Sequence, residues 1–314
     1  MTEPPQTASG FVSFSVAERR FKMRTRDKAI MSVFQNRTAV VTGGASGIGQ
    51  ALCEELARRG ATVVVADIDF HRAQELASSI ASQGGRPEAA EVDVADAKQM
   101  EGLVEQTVSR HGRLDYFFNN AAFGVIGELR DLTPEHWRRL VDVNVLGVVY
   151  GTMAAYRVMV RQGSGHILNV SSLCGLTPAP ILTPYSTTKW AVVGFSTSLR
   201  VEAASLGVKI GVACPSMVRT NFPDRAAYVR VNKEAYLKRL PWRFMMEPAD
   251  VARAILRGVV RNQAIIVCPW HGRLLWWCQR HFPWLLAPLW RMTVSEWRTL
   301  RQEFMGGLGG PTAA

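Results

Sequence analysis

Thr38-Ala-Val-Val-Thr42-Gly43-Gly44-Ala45-Ser46-Gly47-Ile48-Gly49 is a short apolar run that enters a glycine-rich turn, after which Leu52, Leu56 and Ala57 continue from Ile48 at helical spacing. An apolar, β-branched run bounded by a turn reads as a buried parallel strand. Strand, glycine turn and helix in succession is the context a phosphate-binding loop requires. Gly43, Gly47 and Gly49 let the backbone approach a pyrophosphate, which rests on the helix N-terminus and its amides. The plain alternative is a turn that merely joins two elements.

Downstream, Thr62-Val-Val-Val-Ala66 reads as a second strand, ending at Asp67. A carboxylate there accepts hydrogen bonds from both hydroxyls of an adenosine ribose and repels a 2′-phosphate, which favours NAD over NADP. Asp69 adds a second negative charge, and the next cation is Arg72. A solvated loop aspartate is the alternative.

The alternation then continues. A helix is predicted over 71–82, a strand over 87–92 ending at Asp93-Val94, a helix over 96–110, and a strand over 114–118 running into Asn119-Asn120-Ala121-Ala122. Thr133-Pro134 pairs a cap with proline at the first helical position, and the helix it opens is expected to run to about 161 and to carry Asn144. Strands occur over 166–170, 208–213 and 264–268, with a helix from Pro248 to about 261. Repeated βα units predict an α/β fold, a doubly wound parallel sheet of Rossmann type with helices on both faces. Ligands then bind beyond the carboxyl ends of the strands.

Between the strands at 166–170 and 208–213 lies Ser171 to Lys189, SSLCGLTPAPILTPYSTTK. Tyr185 and Lys189 stand four apart, hence about one turn apart on one helix face. An ammonium beside a phenol is expected to lower the phenol pKa and fit it to exchange protons with an alcohol or ketone. Ser172, just past a strand end, can join the phenol over one substrate oxygen. Alone, a Tyr–Lys pair at this spacing is more often a solvated helix face.

The 314 residues are 47% hydrophobic and 20% charged, enough for one large domain and short for two enzymatic ones. Cys53, Cys174, Cys214, Cys268 and Cys278 are odd in number, scattered and without a CxxC pair. This fits a reducing, cytoplasmic setting and argues against a disulfide framework or zinc site, and the dispersed histidines suggest no metal. The net charge of +11 concentrates at the ends, +3 over 1–30 and +6 over 253–314. The body is nearly balanced and no nucleic-acid motif accompanies the excess, so no nucleic-acid partner is expected. Residues 1–30 mix Pro, Ser, Gly and charge without a signal-peptide core, and a start of translation at Met31 is one reading.

Taken together, these motifs resemble the short-chain dehydrogenase/reductase family, in its compact single-domain branch, over roughly residues 35–270. The TGxxxGxG loop is Thr42 to Gly49, the adenine-side Asp-Val is Asp93-Val94, and the NNAG motif is Asn119-Asn120-Ala121-Ala122. The helix asparagine matches Asn144, the serine Ser172, and YxxxK matches Tyr185 and Lys189. The PG motif is Pro215-Ser216, and Val218 and Thr220 resemble residues that hold the nicotinamide carboxamide. Ala122 and Ser216 stand where the family has glycine. The tighter GxxGxxG loop of the sugar-nucleotide epimerase branch is absent.

The resemblance implies hydride transfer between NAD(H) and a carbinol carbon. Tyr185 is then general base or acid, Lys189 lowers its pKa and holds the nicotinamide ribose, Ser172 binds the substrate oxygen, and Asn144 fixes a water that relays the proton from Lys189. Gly43, Ser46, Gly47, Ile48, Gly49, Asp67, Asp93, Val94, Asn120, Pro215, Val218 and Thr220 join Tyr185 and Lys189 around the cofactor. An NADPH-dependent ketone reductase and a non-catalytic nucleotide-sensing protein are the alternatives. The presence of both Tyr185 and Lys189 argues against the second, and Asp67 against the first.

Residues 221–246 are weakly periodic and charged, and are expected to form a mobile insertion over the substrate site. Its Phe222, Tyr228, Tyr236, Leu240, Trp242, Phe244, Met245 and Met246 suggest an apolar substrate, steroid-, retinoid- or lipid-like, or else simply pack the insertion down. Relatives that pair through the Tyr–Lys helix imply a homodimer or homotetramer. The chain thus divides into a flexible extension over 1–34, a catalytic domain over 35–270, and a C-terminal extension over 271–314.

Residues 270–304 hold six of the nine tryptophans, interleaved with Arg273, Arg280, Arg291, Arg298 and Arg301. Trp270, Leu274, Trp277 and Cys278 predict an amphipathic helix, and Pro283 and Pro288 are expected to break the chain beyond it into short pieces. Tryptophan with arginine is the composition of a segment lying in a membrane interface. The competing reading packs this tail on its own domain or on a partner subunit, arginines outward.

Overall fold

The computed structural model describes residues 32–240 and 242–308. The expectations for residues 1–30 and for a start at Met31 lie outside them. Of the N-terminal extension, residues 32–34 are described. Phe34 is fully buried there, its ring 4.9 Å from that of Tyr116.

Seven parallel strands form the central sheet. They are β1 (Thr38–Thr42), β2 (Thr62–Asp67), β3 (Arg86–Glu91), β4 (Tyr116–Asn119), β6 (Gly165–Val170), β7 (Val208–Pro215) and β9 (Ile265–Cys268). Their order is β3-β2-β1-β4-β6-β7-β9. Strand β1 pairs with β2 on one side and β4 on the other, so chain direction around the sheet reverses between β1 and β4. That is the switch point at which open α/β sheets bind ligands. A small second sheet pairs β5 (Val125–Ile126) with β8 (Ala227–Tyr228).

Strand residues alternate between two cores, as the period of two demands. Ala39, Val41, Val63 and Val65 face α1 (Gly47–Arg58), α2 (Phe70–Ser82) and α9 (Pro248–Val260). Val40, Val64 and Phe117 face α3 (Ala97–His111) and α5 (Gly147–Gln162). Leu52 and Leu56 of α1 are fully buried, so truncating either to alanine should cost about 2–5 kcal/mol. The apolar helical stretch Pro134–Gln162, long enough to cross a bilayer, is half buried within the fold, as a core helix is.

Three expectations change. The single helix predicted from 134 to about 161 is α4 (Pro134–Val141), a π-helical turn over Asp142–Leu146, and α5. Asn144 lies in the turn, where the Gly147 amide donates to the Asp142 carbonyl five residues back. Its side chain bridges the Phe123 backbone, accepting from the amide (3.0 Å) and donating to the carbonyl (2.9 Å), and this cross-link holds the widened turn. Residues 221–246, weakly periodic in sequence, carry secondary structure. They fold into α7 (Phe222–Arg225), β8, α8 (Lys233–Lys238) and a 3₁₀ turn over Trp242–Phe244. Its rings interlock: Tyr236 packs edge-on against Tyr228 at 5.5 Å and against Trp297 at 5.9 Å.

The third change is in the C-terminal extension. It forms two helices, α10 (Trp270–His281) and α11 (Pro283–Leu308), and Pro288 does not break the second. Pro283 occupies the first position, where no amide is needed. Pro288 forgoes one hydrogen bond to the carbonyl of Trp284, an exposed residue one turn earlier. In α10 the predicted Trp270–Leu274–Trp277 stripe faces outward, while Leu275 and Trp276 pack on the body beside Leu173, Val192 and Val267.

Candidate active site

The glycine loop between β1 and α1 is built so that backbone, not side chain, lines its mouth. Gly43 and Gly47 have φ of +60° and +55°, which other residues rarely adopt. A Cβ at Gly43 would sit 2.8 Å from the Ala121 Cα, one at Gly49 2.1 Å from the Gly43 carbonyl oxygen, and one at Gly47 3.1 Å from the Thr220 methyl. The loop is thus pressed against the end of β4 and the segment after β7. Thr42 and Asn120 stitch it there. The Asn120 amide donates to the Thr42 hydroxyl (3.0 Å), and its side-chain amide donates to the carbonyls of Thr42 (3.0 Å) and Gly43 (3.1 Å). Asn120 therefore shapes the loop.

Asp67, at the end of β2, is buried beneath the loop. One carboxylate oxygen accepts from the Ala45 amide (2.9 Å), the other from the Asp69 amide (3.1 Å). A carboxylate has about four lone-pair sites, so half its capacity remains for a ribose diol. The first nearby cation, Arg72, is engaged by Asp69 at 3.3 Å. Asp93 turns the chain after β3, accepting from the Ala95 amide (2.9 Å), and Val94 packs where Gly147 leaves room. The glycine cradle, the Asp67 carboxylate and the α1 N-terminus, which has no acidic residue in its first turn, fit a dinucleotide.

The second half of the site descends from β6 and α6 (Thr183–Ala203). Ser172 caps the 3₁₀ turn after β6, its hydroxyl accepting from the Cys174 amide (3.2 Å). Tyr185 lies in the first turn of α6, with Lys189 one turn on, as predicted. The Lys189 ammonium stands 5.5 Å from the centre of the Tyr185 ring and donates to the Val170 carbonyl (3.1 Å), which leaves two of its protons for other partners. Asn144 reaches the same helix, donating to the Thr188 hydroxyl (3.2 Å).

The expected lowering of the Tyr185 pKa is not what the structure shows. Burial pushes the Tyr185 phenol up, against a hydrogen bond with the Ser172 side chain that pulls it down. Burial also lowers Lys189 to about 8. The reason is that both groups sit in the core, where loss of water disfavours the charged form of each. Burial thus favours the neutral phenol, the form that donates to a ketone oxygen.

Around Tyr185 the walls are apolar: Val125, Leu140 and Leu182, with Phe222 from the 221–246 segment 5.5 Å away, ring to ring. Pro215 ends β7, the Val218 backbone pairs with Met246, and Thr220 faces Gly47. The structure thus brings Gly43 to Gly49, Asp67, Asn120, Val218 and Thr220 to one end of the sheet, alongside Ser172, Tyr185 and Lys189. Two neighbours escaped the sequence reading. Cys174 packs beside Tyr185, and Arg225 donates to the Ser46 hydroxyl (3.2 Å), placing a cation at the glycine loop. Neither belongs to a motif, and Arg225 arrives there only because β8 pins its segment beside β5.

The short chain dehydrogenase profile matches residues 37–227. The chain is 32% identical over 240 residues to the (2S)-[(R)-hydroxy(phenyl)methyl]succinyl-CoA dehydrogenase subunit BbsD of Thauera aromatica, spanning 74% of this chain and 96% of that one. It is 34% identical over 197 residues to a cyclohexanol dehydrogenase of an Acinetobacter species, spanning 62% and 78%. Among solved structures, a short chain dehydrogenase/reductase of Burkholderia phymatum in complex with NAD superposes with a TM-score of 0.75 at 25% identity, over 80% of this chain and 95% of that one. A 3-ketoacyl-(acyl-carrier-protein) reductase of Brucella melitensis with NADH gives a TM-score of 0.66 at 26% identity, over 74% and 96%. With the sheet order, the glycine cradle and the Ser–Tyr–Lys cluster already in place, these matches make the chain a member of the short-chain dehydrogenase/reductase family of oxidoreductases.

Proposed function

We propose that this protein is an NAD-linked dehydrogenase that interconverts an apolar secondary alcohol and its ketone. The observation that carries the reading is Tyr185, buried among apolar side chains that include Cys174 of the turn Ser172 caps, with the Lys189 ammonium 5.5 Å from its ring. A dinucleotide, when bound, supplies the nicotinamide that accepts or returns the hydride. The residues do the rest. In reduction the Tyr185 hydroxyl donates its proton to the substrate oxygen, and in oxidation the phenolate takes it. Ser172 donates to the same oxygen and steadies the developing alkoxide. Lys189, by its charge, offsets part of what burial costs the phenolate when that form is needed, and turns its free protons to ribose hydroxyls. Asn144 holds the π turn beside Thr188, at the inner end of the proton path from Lys189.

Asp67 and the pairing of Arg72 with Asp69 support NAD over NADP, because an unopposed carboxylate meets the ribose 2′ position. The apolar wall supports a hydrocarbon-rich alcohol, and the relative named for cyclohexanol points to the same class. Residues 35–270 form the catalytic domain in this reading, with 271–314 as its extension. The exposed Trp190 and Val201 of α6 support pairing of two copies along that helix into a homodimer or homotetramer.

The outer face of α10 and of the first half of α11 supports contact between a cytoplasmic protein and a membrane surface. Trp270, Trp277 and Trp284 are 75%, 51% and 68% exposed, beside exposed Leu274, Leu285, Leu289 and Met292. Interfacial tryptophans with a basic surround suit anionic headgroups. The test of the catalytic reading is a panel of cyclic, steroidal and linear secondary alcohols, each with NAD and with NADP. NAD reduction by an apolar alcohol, with a higher kcat/KM than for NADP, is expected. Turnover confined to NADP, or to small polar polyols, would contradict it.

A further inference from the structure

We infer that the second half of α11 positions the turn from which α6 begins, and through it Tyr185; this rests on the reading of Tyr185 as the proton-transfer residue. Residues 179–182 form a tight turn in which the Leu182 amide donates to the Ala179 carbonyl (3.2 Å). Pro180 occupies its second corner and Ile181 its third, with φ of +64°. A third corner with positive φ is the mark of a type II turn, and it calls for glycine or asparagine. Isoleucine is β-branched, and among the described residues it is the one β-branched side chain held at positive φ. A backbone so strained persists only where its surroundings over-determine it.

Two ties do so here, and both lead to α11. The Ile181 side chain packs on a cluster containing Trp297 and Leu300, which are 2% and 4% exposed. Its carbonyl accepts from the Gly127 amide (2.9 Å). The segment after Gly127 is clamped to the same helix. Arg298 donates to Glu128 (2.8 Å), and Arg301 grips Asp131 with two hydrogen bonds (2.6 and 2.8 Å). From the turn to Tyr185 is a distance of three residues. The Leu182 carbonyl accepts from the Ser186 amide (2.7 Å), and the Ser186 hydroxyl donates to the Cys174 carbonyl (2.7 Å) beside Ser172. If Ile181 relaxed to negative φ, the start of α6 would shift relative to Ser172. A misplacement of this kind lowers turnover more than it weakens cofactor binding. The Trp297 indole N–H is buried without a hydrogen-bond partner among the described residues, so its ring, not its N–H, does the holding.

The experiment uses the full chain. Hydrogen exchange over 179–186 is read first, since it needs no substrate, then kcat and the KM for NAD with the best alcohol of the panel, with Tyr185→Phe as reference. In Trp297→Ala, exchange should rise about tenfold or more and kcat should fall about 10–100-fold, with the KM for NAD unchanged. Trp297→Phe keeps the ring and should behave as the native protein. Ile181→Gly placed on Trp297→Ala should restore both readings, because glycine takes positive φ unaided. Native exchange over 179–186 in a folded Trp297→Ala, or a double variant no better than the single one, would overturn the inference. So would raised exchange with native kcat when Tyr185→Phe is inactive. If Trp297→Ala does not fold, Arg301→Gln opens the Asp131 tie from the surface and is read by the same criteria. Should exchange respond as expected while Tyr185→Phe turns over normally, the hold of α11 on the turn stands and the catalytic assignment of Tyr185 falls.

Discussion

The molecule has two apolar surfaces of similar composition and opposite fate. Around Tyr185, the side chains of Val125, Leu140, Leu182 and Phe222 close over a few polar atoms. On the outside of α10 and α11, Trp270, Leu274, Trp277, Trp284, Leu285, Leu289 and Met292 lie open. The contrast recurs within α11, where Trp284 is 68% exposed and Trp297 2%. The difference lies in what each helix face meets. Trp297 falls opposite Ile126, Ala226 and Val231, whereas Trp284 lies in the first turn of α11, open to solvent. Burial is decided by the apolar surface the body offers, not by the composition of the helix. The inner surface surrounds a hydroxyl, a phenol and an ammonium and suits chemistry. The outer one surrounds none, and it is the face for which membrane contact is proposed.

The two surfaces should come apart under mutation. Tyr185→Phe removes the exchangeable proton and keeps the ring, so turnover should fall by about 10²–10⁴-fold. NAD affinity and sedimentation with anionic vesicles should stay native in that variant. Retained turnover would end the division of labour at the inner surface. Conversely, Trp277→Glu with Trp284→Glu should weaken binding to anionic vesicles about tenfold or more, while kcat on a water-soluble alcohol stays unchanged. Undiminished binding would return the outer face to a protein partner or a second copy. Asp67→Ala removes the repulsion of a 2′-phosphate and should narrow the preference for NAD about tenfold, read as the ratio of the two kcat/KM values. Arg225→Ala should have the smallest effect, an increase of about 2–5-fold in the KM for NAD that fades at high salt, because an exposed cation at the glycine loop is screened.

The inner and outer surfaces also differ in how far the sequence alone reveals them. The strands, the glycine loop and the Tyr185–Lys189 spacing are local patterns, each set by a period of two or 3.6 residues or by a turn that demands glycine. They appear in the fold within one or two residues. The features that escape such patterns are long-range. The π turn at Asn144 depends on the Phe123 backbone, 21 residues away. The order of 221–246 depends on Trp297 and on the pairing of β8 with β5. The upward push on the Tyr185 phenol comes from burial, which no spacing reports, and the charge argument alone gives the opposite direction. In the C-terminal extension the amphipathic stripe is visible in the sequence. That its apolar side faces out is not, nor that Arg298 and Arg301 pair with Glu128 and Asp131.

The most direct test of the central claim follows the transferred atom. The best secondary alcohol of the panel is prepared with deuterium at its carbinol carbon and incubated with the protein and NAD, and the reduced dinucleotide is weighed by mass spectrometry. The deuterium should arrive on the dinucleotide, with slowed turnover, and its transfer should be about 10²–10⁴-fold slower in Tyr185→Phe. Reduced dinucleotide without the label, or transfer undiminished in Tyr185→Phe, would contradict the claim.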